Sequence, residues 1–403
     1  MKYGLIGWPL DHSFSVKIHR LLGNDNYELY PLREEELGPF LRRPDLGGLN
    51  VTIPYKKAVI PYCTKLSNTA LEIGSVNTLL FTERGIIGHN TDCSGFLYMV
   101  RRAGISMTWR KVVILGSGGT SLTAAWCAKN AGADQIVVIS RKGKDNYDDL
   151  AKHRDADVLI NTTPVGMYPH NGEAAVQLSA FDHLRGVLDV VYNPLKTELI
   201  LQAEALGIPC NGGLPMLVEQ AAEADRLFFG KEPDAEVSER VLDALQNEME
   251  NIVLTGMPGC GKSSTGKVLA GLTGKRFVDL DEEIEKAEGR TPERIILEDG
   301  EAAFRDAETA AAKRVGKETG LVIACGGGAV LREENVKALR QNGRIVFIRR
   351  ELSKLPTKGR PLSADLPALY EKRRPYYEAA ADVILDNDGT VEELAEKIAE
   401  VLS

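Results

Sequence analysis

Two glycine-rich loops of different design constrain this chain more than any other feature. The first has the sequence GSGGTS at residues 116–121 and follows the apolar run 112–115. The second has the sequence GMPGCGKS at residues 256–263 and follows the run 252–255, which is largely apolar. A glycine turn between a buried strand and a helix brings backbone N–H groups close to a phosphate. The glycine spacing of the first loop favours a dinucleotide, and that of the second favours a nucleoside triphosphate. The two loops therefore predict two α/β nucleotide-binding regions.

The composition favours a globular protein that acts on small molecules. The chain has 403 residues, enough for two or three domains, with 43% apolar and 26% charged residues. Its formal net charge of -8 argues against broad nucleic-acid binding, so no nucleic-acid partner is expected. No apolar run of about 18 residues exists, so no membrane span or membrane partner is expected. The six scattered cysteines contain no CxxC pair and the N-terminus lacks a signal peptide, which predicts a cytoplasmic location.

Strand-like and helical patterns divide the chain into regions. Short strand-like runs occupy residues 27–31, 48–53 and 76–81, and more regular ones occupy 112–115, 136–139, 158–160 and 187–191. Their alternation with helical patterns predicts βα units and a parallel sheet. A helical pattern over 215–229 could pack back on the first region. We expect an α/β substrate domain over 1–100, a Rossmann-like domain over 101–235, a linker over 236–249 and a P-loop α/β domain with a parallel sheet over 250–403.

The residues after the strand 136–139 indicate which dinucleotide the first loop binds. An NAD site commonly has Asp or Glu at this place to hold the ribose 2′-hydroxyl. This chain has Ser140, Arg141 and Lys142. A pair of cations suits a 2′-phosphate, so the sequence favours NADP; the alternative is that both are solvated loop charges. The third glycine of the dinucleotide fingerprint is replaced by Ser121.

Five further segments accompany the first loop. They are HSFS at 12–15, NVTIPYK at 50–56, SVNT at 75–78, NTD at 90–92 and NTTPVGM at 161–167. With them, residues 1 to about 235 resemble shikimate dehydrogenase over the whole span and in the same motif order. The resemblance implies a substrate domain and a Rossmann-like NADP(H) domain with a cleft between them. It also implies reversible reduction of 3-dehydroshikimate to shikimate.

The same resemblance assigns roles to individual residues. Lys56 and Asp92 would be the catalytic pair. Substrate would be held by Ser13, Ser15, Thr52, Asn77, Asp92, Tyr192 and Gln220. NADP would be bound by Gly116, Gly118, Gly119, Thr120, Ser121, Arg141, Lys142, Thr162, Met167 and Gly213. Hydride delivery to a ketone builds negative charge on its oxygen, and a cation or proton donor beside that oxygen lowers the barrier. Lys56 can serve, with Asp92 orienting it or sharing the proton, and the sequence leaves open which of them transfers it.

The second loop has the pattern GxxxxGKS. Its backbone N–H groups converge on phosphate oxygens, Lys262 neutralises the β/γ charge and the Ser263 hydroxyl ligates Mg²⁺. The segment FVDLD at 277–281 follows. If this segment is extended, Asp279 and Asp281 share one face, because side chains two apart in a strand point the same way. One could then organise Mg²⁺ while the other accepts a proton from the attacking hydroxyl.

Four more segments complete the second half: FRDAE at 304–308, CGGG at 325–328, GRPL at 359–362 and RRPYYE at 373–378. Residues from about 250 to 403 resemble shikimate kinase along their whole length. By that resemblance Asp281, Lys262 and Arg360 are catalytic, and Ser263 and Asp279 hold the metal. ATP would be bound by Gly256, Gly259, Gly261, Lys262, Ser263, Ser264 and Arg360. Shikimate would be held by Asp281, Arg305, Gly326, Gly327, Gly328 and Arg373. Two arginines suit a carboxylate because a guanidinium binds it bidentately; for Arg374 we expect a surface ion pair.

The lid of the second half, roughly 352–363, is short. Many relatives carry an arginine about seven residues before the Arg-Pro-Leu of the lid, where it packs on adenine. This chain has Ser353 at that position, and Lys354 or Lys358 could substitute.

The two resemblances predict consecutive reactions, since the product of the first is the substrate of the second. We therefore expect a bifunctional enzyme of aromatic amino-acid precursor synthesis, the chorismate branch, that uses NADP(H), ATP and Mg²⁺. Two alternatives stay open. One half could be a sensor that binds shikimate or quinate without turning it over, although Lys56, Asp92, Lys262 and Asp281 are all present. The first half could also be an NAD-preferring quinate/shikimate dehydrogenase, against which the cations at 141–142 argue.

Overall fold

A computed structural model describes residues 1–10, 13–231, 234, 236–355 and 366–402. Two compact units are present. The first comprises Met1–Met167, Glu173–Asn193 and Leu199–Ala244, and the second comprises Tyr168–Gly172, Pro194–Glu198 and Leu245–Ser403. The described residues contain no helix that is long and apolar enough to cross a bilayer.

A mixed six-stranded sheet opens the first unit, with the order β2-β1-β3-β5-β6-β4. Its strands are β1 Lys2–Gly7, β2 Tyr27–Pro31, β3 Leu46–Val51, β4 Lys65–Leu66, β5 Thr78–Thr82 and β6 Gly85–His89. Helices α1 Ser15–Leu21, α2 Glu34–Leu41 and α3 Asn68–Ile73 connect them. The strand predicted over 48–53 lies two residues earlier, because Pro54 has no N–H to continue a ladder and restricts the residue before it. The one predicted over 76–81 begins at Thr78, since the N–H of Val76 bonds to the carbonyl of Lys56 instead.

The second sheet of the first unit is parallel throughout, with the order β11-β10-β9-β7-β8. Its strands are β7 Lys111–Leu115, β8 Gln135–Ile139, β9 Val158–Asn161, β10 Gly186–Asp189 and β11 Cys210–Asn211. Helices α4 Asp92–Arg102, α5 Gly119–Asn130, α6 Glu198–Ala205 and α7 Leu214–Phe229 accompany it. The strand predicted over 187–191 ends at Asp189, whose carboxylate accepts a hydrogen bond from the N–H of Val191 at 3.0 Å.

Helix α7 packs back onto the first sheet. Its residues Val218, Ala221, Ala224 and Phe228 are buried at helical spacing. The helix contacts α1, α4 and β3. At β3 the ring of Phe228 occupies the space that a side chain on Gly48 would need, since a Cβ there would lie 2.1 Å from the ring. Nearer its start, α7 packs on α4, since a Cβ on Gly95 would lie 2.4 Å from the carbonyl oxygen of Met216.

Helix α8 Val237–Met249 precedes the sheet of the second unit, which has five parallel strands in the order β13-β14-β12-β15-β16. The strands are β12 Asn251–Thr255, β13 Arg276–Asp279, β14 Leu321–Ala324, β15 Gly343–Arg349 and β16 Val383–Asp386. The helices are α9 Lys262–Thr273, α10 Leu280–Glu288, α11 Pro292–Val315, α12 Glu333–Arg340, α13 Leu366–Ala380 and α14 Val391–Leu402. The central strands are buried on both faces, as expected for a parallel sheet covered by helices. The predicted α/β class with parallel sheets is confirmed.

Candidate active sites

A cavity of about 470 Å³ lies in the first unit. Ten of the residues that the sequence predicted for the first reaction line it: Ser13, Ser15, Thr52, Lys56, Asn77, Asp92, Thr120, Tyr192, Gly213 and Gln220. Residues that were not predicted also line it, among them the apolar residues Val190, Met216 and Leu217. Leu217 follows Gly213 by one helical turn, so its place on the cavity side of α7 could have been inferred from helical spacing.

Lys56 and Asp92 form an ion pair at the edge of this cavity. The Lys56 Nζ donates to Asp92 Oδ2 at 2.6 Å, and the Asn77 side chain donates to Asp92 Oδ1 at 2.9 Å. Asp92 begins α4, where the helix dipole favours a negative charge. Both carboxylate oxygens are therefore held, and the ammonium group that they orient remains partly exposed, with 18% of the Lys56 side chain accessible. A cation fixed in this way can stabilise, and exchange a proton with, a developing alkoxide.

Polar groups that could bind a polyol surround the pair. Asn77 is held rigidly, because its Oδ1 accepts from the backbone N–H of Thr91 at 2.7 Å. The Gln220 amide oxygen lies 3.5 Å from Asn77 Nδ2, and Ser13 Oγ accepts from the N–H of Ser15 at 3.1 Å. Burial raises the pKa of Tyr192, which keeps its hydroxyl neutral and able to donate. The wall thus offers hydroxyl and amide groups in fixed positions, the pattern that recognises substrate hydroxyls.

The first glycine loop has the conformation of a phosphate-binding turn. Gly116 adopts φ 108°, and a Cβ there would lie 2.7 Å from Thr162 Oγ1, so only glycine fits. Thr162 is positioned by donating to the carbonyl of Leu115 at 2.6 Å. Gly118 is the N-cap of α5, whose first N–H groups are available to an anion. Beside this turn, a Cβ on Gly119 would lie 3.7 Å from Lys56 Cδ, so the loop and the ion pair belong to one site.

The remaining predicted cofactor residues differ in exposure. Arg141 and Lys142 follow β8 after Ser140 and are exposed, and within the part of the chain that is described neither forms an ion pair. Met167 is also exposed, and Gly213 needs to be glycine because a Cβ would lie 2.1 Å from the carbonyl oxygen of Val190. Ser121, in the first turn of α5, is 2% exposed, so its side chain is not available to a cofactor.

A second cavity, of about 560 Å³, lies in the second unit. The predicted residues that line it are Gly259, Gly261, Lys262, Ser263, Ser264, Asp279, Asp281, Arg305, Gly326, Gly327, Gly328 and Arg373. Gly256 does not line the cavity but is required by the turn, since it adopts φ 143° and a Cβ would lie 2.4 Å from the carbonyl oxygen of Ile348. Arg360 lies outside the described residues.

The P-loop brings a cation and a pair of hard oxygen ligands together. Lys262 Nζ donates to the carbonyls of Gly256 and Met257, each at 3.0 Å, which holds the ammonium across the loop. Ser263 Oγ donates to Asp279 Oδ2 at 2.7 Å. A hydroxyl beside a carboxylate fits Mg²⁺, which takes few protein ligands and completes its shell with phosphate oxygens and water. The described residues contain no group of three or more His, Cys, Asp or Glu side chains that could hold a metal ion.

Asp279 and Asp281 reach the cavity by a different geometry from the predicted one. The segment is not extended: β13 ends at Asp279, and α10 begins at Leu280. The Asp279 carboxylate caps α10 by accepting from the N–H of Asp281 at 3.1 Å. Asp281 therefore lies in the first helical turn with its side chain exposed to the cavity, where partial desolvation by the surrounding protein raises its pKa to about 6, with smaller contributions from the charges of Asp279 and Glu308. A carboxylate with such a pKa is suited to accept a proton near neutral pH.

Two arginines converge at the other end of this cavity. Arg305 donates to Glu308 Oε2 at 2.6 Å, and Arg373 donates to the carbonyl of Gly327 at 3.1 Å. The glycine run makes room for them, since a Cβ on Gly328 would lie 2.4 Å from Arg305 Nη1. Arg374 instead forms the expected surface ion pair with Glu378. The arrangement presents two guanidinium groups to a carboxylate.

Glu308 is a site residue that the sequence analysis did not single out. It is fully buried, it lines the cavity, and its Oε1 has no hydrogen-bond partner among the described groups. Burial raises its pKa, against the opposing effect of the Arg305 charge. Its position three residues after Arg305 on one helix was the available signal, because residues three apart lie on the same face.

The described part of the lid includes Ser353, which stands at the position of the adenine-packing arginine, and Lys354, which was considered as its substitute. Ser353 and Lys354 lie in a short 3₁₀ turn, Leu352–Lys354, and both contact the Glu351 carboxylate. Lys358, like Arg360, lies in the range 356–365, outside the described residues. A contact of Lys354 or Lys358 with adenine stays a prediction.

The two sites define a class of protein. The first site combines a dinucleotide-type loop with a Lys–Asp pair, as in an oxidoreductase. The second combines a P-loop with the Asp281 carboxylate and two arginines, as in a phosphotransferase for a small anion. The family model of the shikimate dehydrogenase substrate binding domain matches residues 5–79, and that of the shikimate 5'-dehydrogenase C-terminal domain matches 213–242. The shikimate kinase family model matches residues 258–403.

Individual relatives match the first part of the chain. A shikimate dehydrogenase (NADP(+)) of Clostridium perfringens is 34% identical over 265 residues, which are 60% of this chain and 98% of that protein. One of Methanopyrus kandleri is 37% identical over 276 residues, covering 60% and 95%. Among solved structures, a chorismate mutase/shikimate 5-dehydrogenase fusion protein from Clostridium acetobutylicum matches with 34% identity and a TM-score of 0.58, covering 60% and 96%. Shikimate 5-dehydrogenase from Thermus thermophilus, in complex with NADP(H) and shikimate, matches with 31% identity and a TM-score of 0.55, covering 60% and 99%.

The chain belongs to the shikimate dehydrogenase family, and a shikimate kinase domain follows on the same chain. It therefore joins an NADP-dependent oxidoreductase and a phosphotransferase of the shikimate pathway, the route to aromatic amino acids. The predicted use of NADP(H), ATP and Mg²⁺ is confirmed.

Proposed function

We propose that this protein reduces 3-dehydroshikimate with NADPH and then phosphorylates the resulting shikimate with MgATP to shikimate 3-phosphate. The observation that carries the proposal is that each cavity combines a phosphate-binding loop with an intact proton-handling group. These groups are the Lys56–Asp92 pair, with its 2.6 Å contact, and Asp281, with its raised pKa. Assays of the full chain with each substrate separately test both steps: NADPH oxidation on 3-dehydroshikimate, and ADP formation on shikimate.

In the reduction, Lys56 acts at the ketone oxygen. NADPH supplies the hydride. As negative charge develops on the oxygen, the Lys56 ammonium stabilises it, and Lys56 or Asp92 provides the proton. Asp92, held by Asn77, keeps the ammonium in place. The side chains of Ser13, Ser15, Thr52, Tyr192 and Gln220 bind the carboxylate and hydroxyls, and Arg141 and Lys142 bind the 2′-phosphate of the cofactor.

In the phosphorylation, Asp281 accepts the proton of the attacking hydroxyl. Arg305 and Arg373 hold the shikimate carboxylate with the backbone of residues 326–328. Lys262 neutralises the phosphate charge, and Ser263 and Asp279 would hold Mg²⁺, which would supply further positive charge beside the transferring phosphoryl group. We assign Arg360 to the transferring phosphoryl group on the family resemblance alone. Glu308 positions Arg305, because their side chains are bonded within the buried wall.

The two steps would occur in separate domains, for which we propose the limits 1–100 and 101–235 for the first reaction and 250–403 for the second. We further propose that the protein works in the cytoplasm. Six cysteines in the thiol form suit a reducing compartment.

Arg141→Asp is expected to change the cofactor preference of the reduction. It removes a cation that would pair with the 2′-phosphate and adds a repelling charge there, so the KM for NADPH should rise about 10- to 100-fold, whereas the KM for NADH should change little. Lys129→Asp, at an exposed cation at the far end of α5, is the matched control. An unchanged ratio of NADPH to NADH efficiency in the Arg141 variant would contradict the assignment.

The phosphorylation should depend on pH through Asp281. The pKa of this carboxyl is raised to about 6, so below that value it is protonated and accepts no proton from the substrate. The kcat/KM for shikimate should fall about tenfold for each pH unit below pH 6 and reach a plateau above about pH 7. A flat profile of kcat/KM from about pH 5 to pH 8 would mean that Asp281 is not the base.

A further inference from the structure

The strand order of the second sheet fixes the direction in which a bound nucleotide runs. Asp281 follows β13, and the glycines 326–328 follow β14, on one side of the central strand β12. The P-loop follows β12 itself. A nucleotide whose phosphates lie on this loop, with the terminal phosphate directed to the acceptor, extends its base to the other side. That side is formed by the carboxyl ends of β15 and β16, where open α/β sheets bind ligands.

Four residues beyond those two strands line the same cavity as the P-loop: Arg350, Asn387, Gly389 and Val391. Asn387 is already engaged, because its Nδ2 donates to the carbonyl of Cys260 at 2.7 Å. Gly389 carries no side chain, and Val391 begins α14. Of the described residues beyond these two strands that line the cavity, Arg350 is thus the one with a charged side chain.

Arg350 differs sharply from its neighbour. Arg349 donates to Asp386 Oδ2 at 2.7 Å in a two-point ion pair across β15 and β16. Arg350 is half-buried, and its Nε is shielded from solvent without a hydrogen-bond partner among the described groups. It also forms no ion pair with any described residue. A buried donor left unpaired is destabilising. An unpaired Nε in the wall of a cavity therefore indicates a hydrogen-bond partner that a ligand supplies.

We propose that Arg350 contacts the adenine base of ATP and sets the nucleotide affinity of the kinase site. This inference rests on the proposed kinase function. A planar guanidinium stacks on an aromatic ring and can donate to a ring nitrogen. Arg350, which follows the end of β15, would thereby make the adenine contact that an arginine of the lid makes in many relatives. This chain has Ser353 at that lid position. The acceptor site and the transfer step do not involve it.

The test compares Arg350→Ala with Arg349→Ala as the matched control. For each variant the KM for ATP, the KM for shikimate and the inhibition constant of inorganic tripolyphosphate are measured in the full chain. The KM for ATP of the Arg350 variant should rise about tenfold, as expected for a lost guanidinium–ring contact at a partly buried site. The KM for shikimate and the tripolyphosphate constant should stay within about twofold of wild type, and the Arg349 variant should resemble wild type because exposed ion pairs contribute little.

Tripolyphosphate distinguishes a contact with the adenine base from a contact with the phosphates, because it has a phosphate chain like that of ATP but no base. Equal weakening of ATP and tripolyphosphate would assign Arg350 to the phosphates and overturn the proposal. An unchanged KM for ATP would overturn it as well. Absence of shikimate phosphorylation in the wild-type protein would refute the proposed function itself, so the two failures are distinguishable. An unchanged KM for shikimate shows that the kinase domain of the variant is folded.

Discussion

Lys56→Ala is expected to lower the turnover of 3-dehydroshikimate by about 10²- to 10⁴-fold, the usual contribution of a positioned proton-transfer group. The substitution removes the ammonium that Asp92 holds at 2.6 Å and leaves the rest of the cavity wall in place. The KM should change much less than kcat, because the hydroxyl-binding groups are untouched. Phosphorylation of shikimate by the same variant should stay at the wild-type rate, since all residues of the P-loop cavity belong to the second unit.

The matched control is Lys57→Ala, which removes an exposed cation from the adjacent position. Its reduction rate should equal that of the wild type. Asp92→Asn then separates the two members of the pair, because an amide keeps the shape but loses the charge that orients Lys56. Equal loss of both activities in the Lys56 variant would show that the two sites are not independent and would contradict this account.

Lys262→Ala should abolish phosphorylation while the reduction of 3-dehydroshikimate continues. The Lys262 ammonium lies across the P-loop, bonded to two of its carbonyls, at the place where phosphate charge must be neutralised. Loss of one preorganised charge-stabilising donor costs about 10²- to 10³-fold in kcat, and loss of a full positive charge should cost at least as much. ADP formation with shikimate present, measured beside NADPH oxidation, gives both readouts from one preparation.

Lys267→Ala is the control for this variant. Lys267 lies on the same helix, α9, but is exposed and sits over the ring of Phe277. It should leave both activities unchanged. Substantial ATP turnover on shikimate in the Lys262 variant would contradict the assignment of the P-loop lysine.

Local sequence patterns were sufficient to predict the features that depend on residues near each other in the chain, such as the strands before the glycine turns. The apolar runs 112–115 in β7 and 252–254 in β12 precede glycine turns, because a strand buried on both faces favours apolar side chains and a turn that approaches a phosphate closely favours glycine. Lys56 and Asp92 could be named because each lies in a distinctive motif. Their contact at 2.6 Å could not be inferred in the same way, because the two residues are 36 positions apart in sequence.

The remaining features depend on three-dimensional contacts. The segment 277–281 was expected to be extended throughout, but the Asp279 carboxylate caps α10 and Asp281 lies in that helix. Alternation of side chains does not reveal this competition between a cap and a strand. Glu308 gains its role only through burial beside Arg305. Arg350 became significant only through the strand order β12-β15-β16, which places the end of β15 beside the P-loop.

A single coupled reaction tests the central claim most directly. Purified full-length protein is supplied with 3-dehydroshikimate, NADPH and MgATP in one tube, and shikimate, shikimate 3-phosphate, NADP⁺ and ADP are followed with time. We predict that NADP⁺ and ADP reach equal final amounts, with shikimate passing through a transient maximum. Shikimate that accumulates without ADP, or ADP formation that does not depend on NADPH and 3-dehydroshikimate, would contradict the claim that this chain catalyses two consecutive steps.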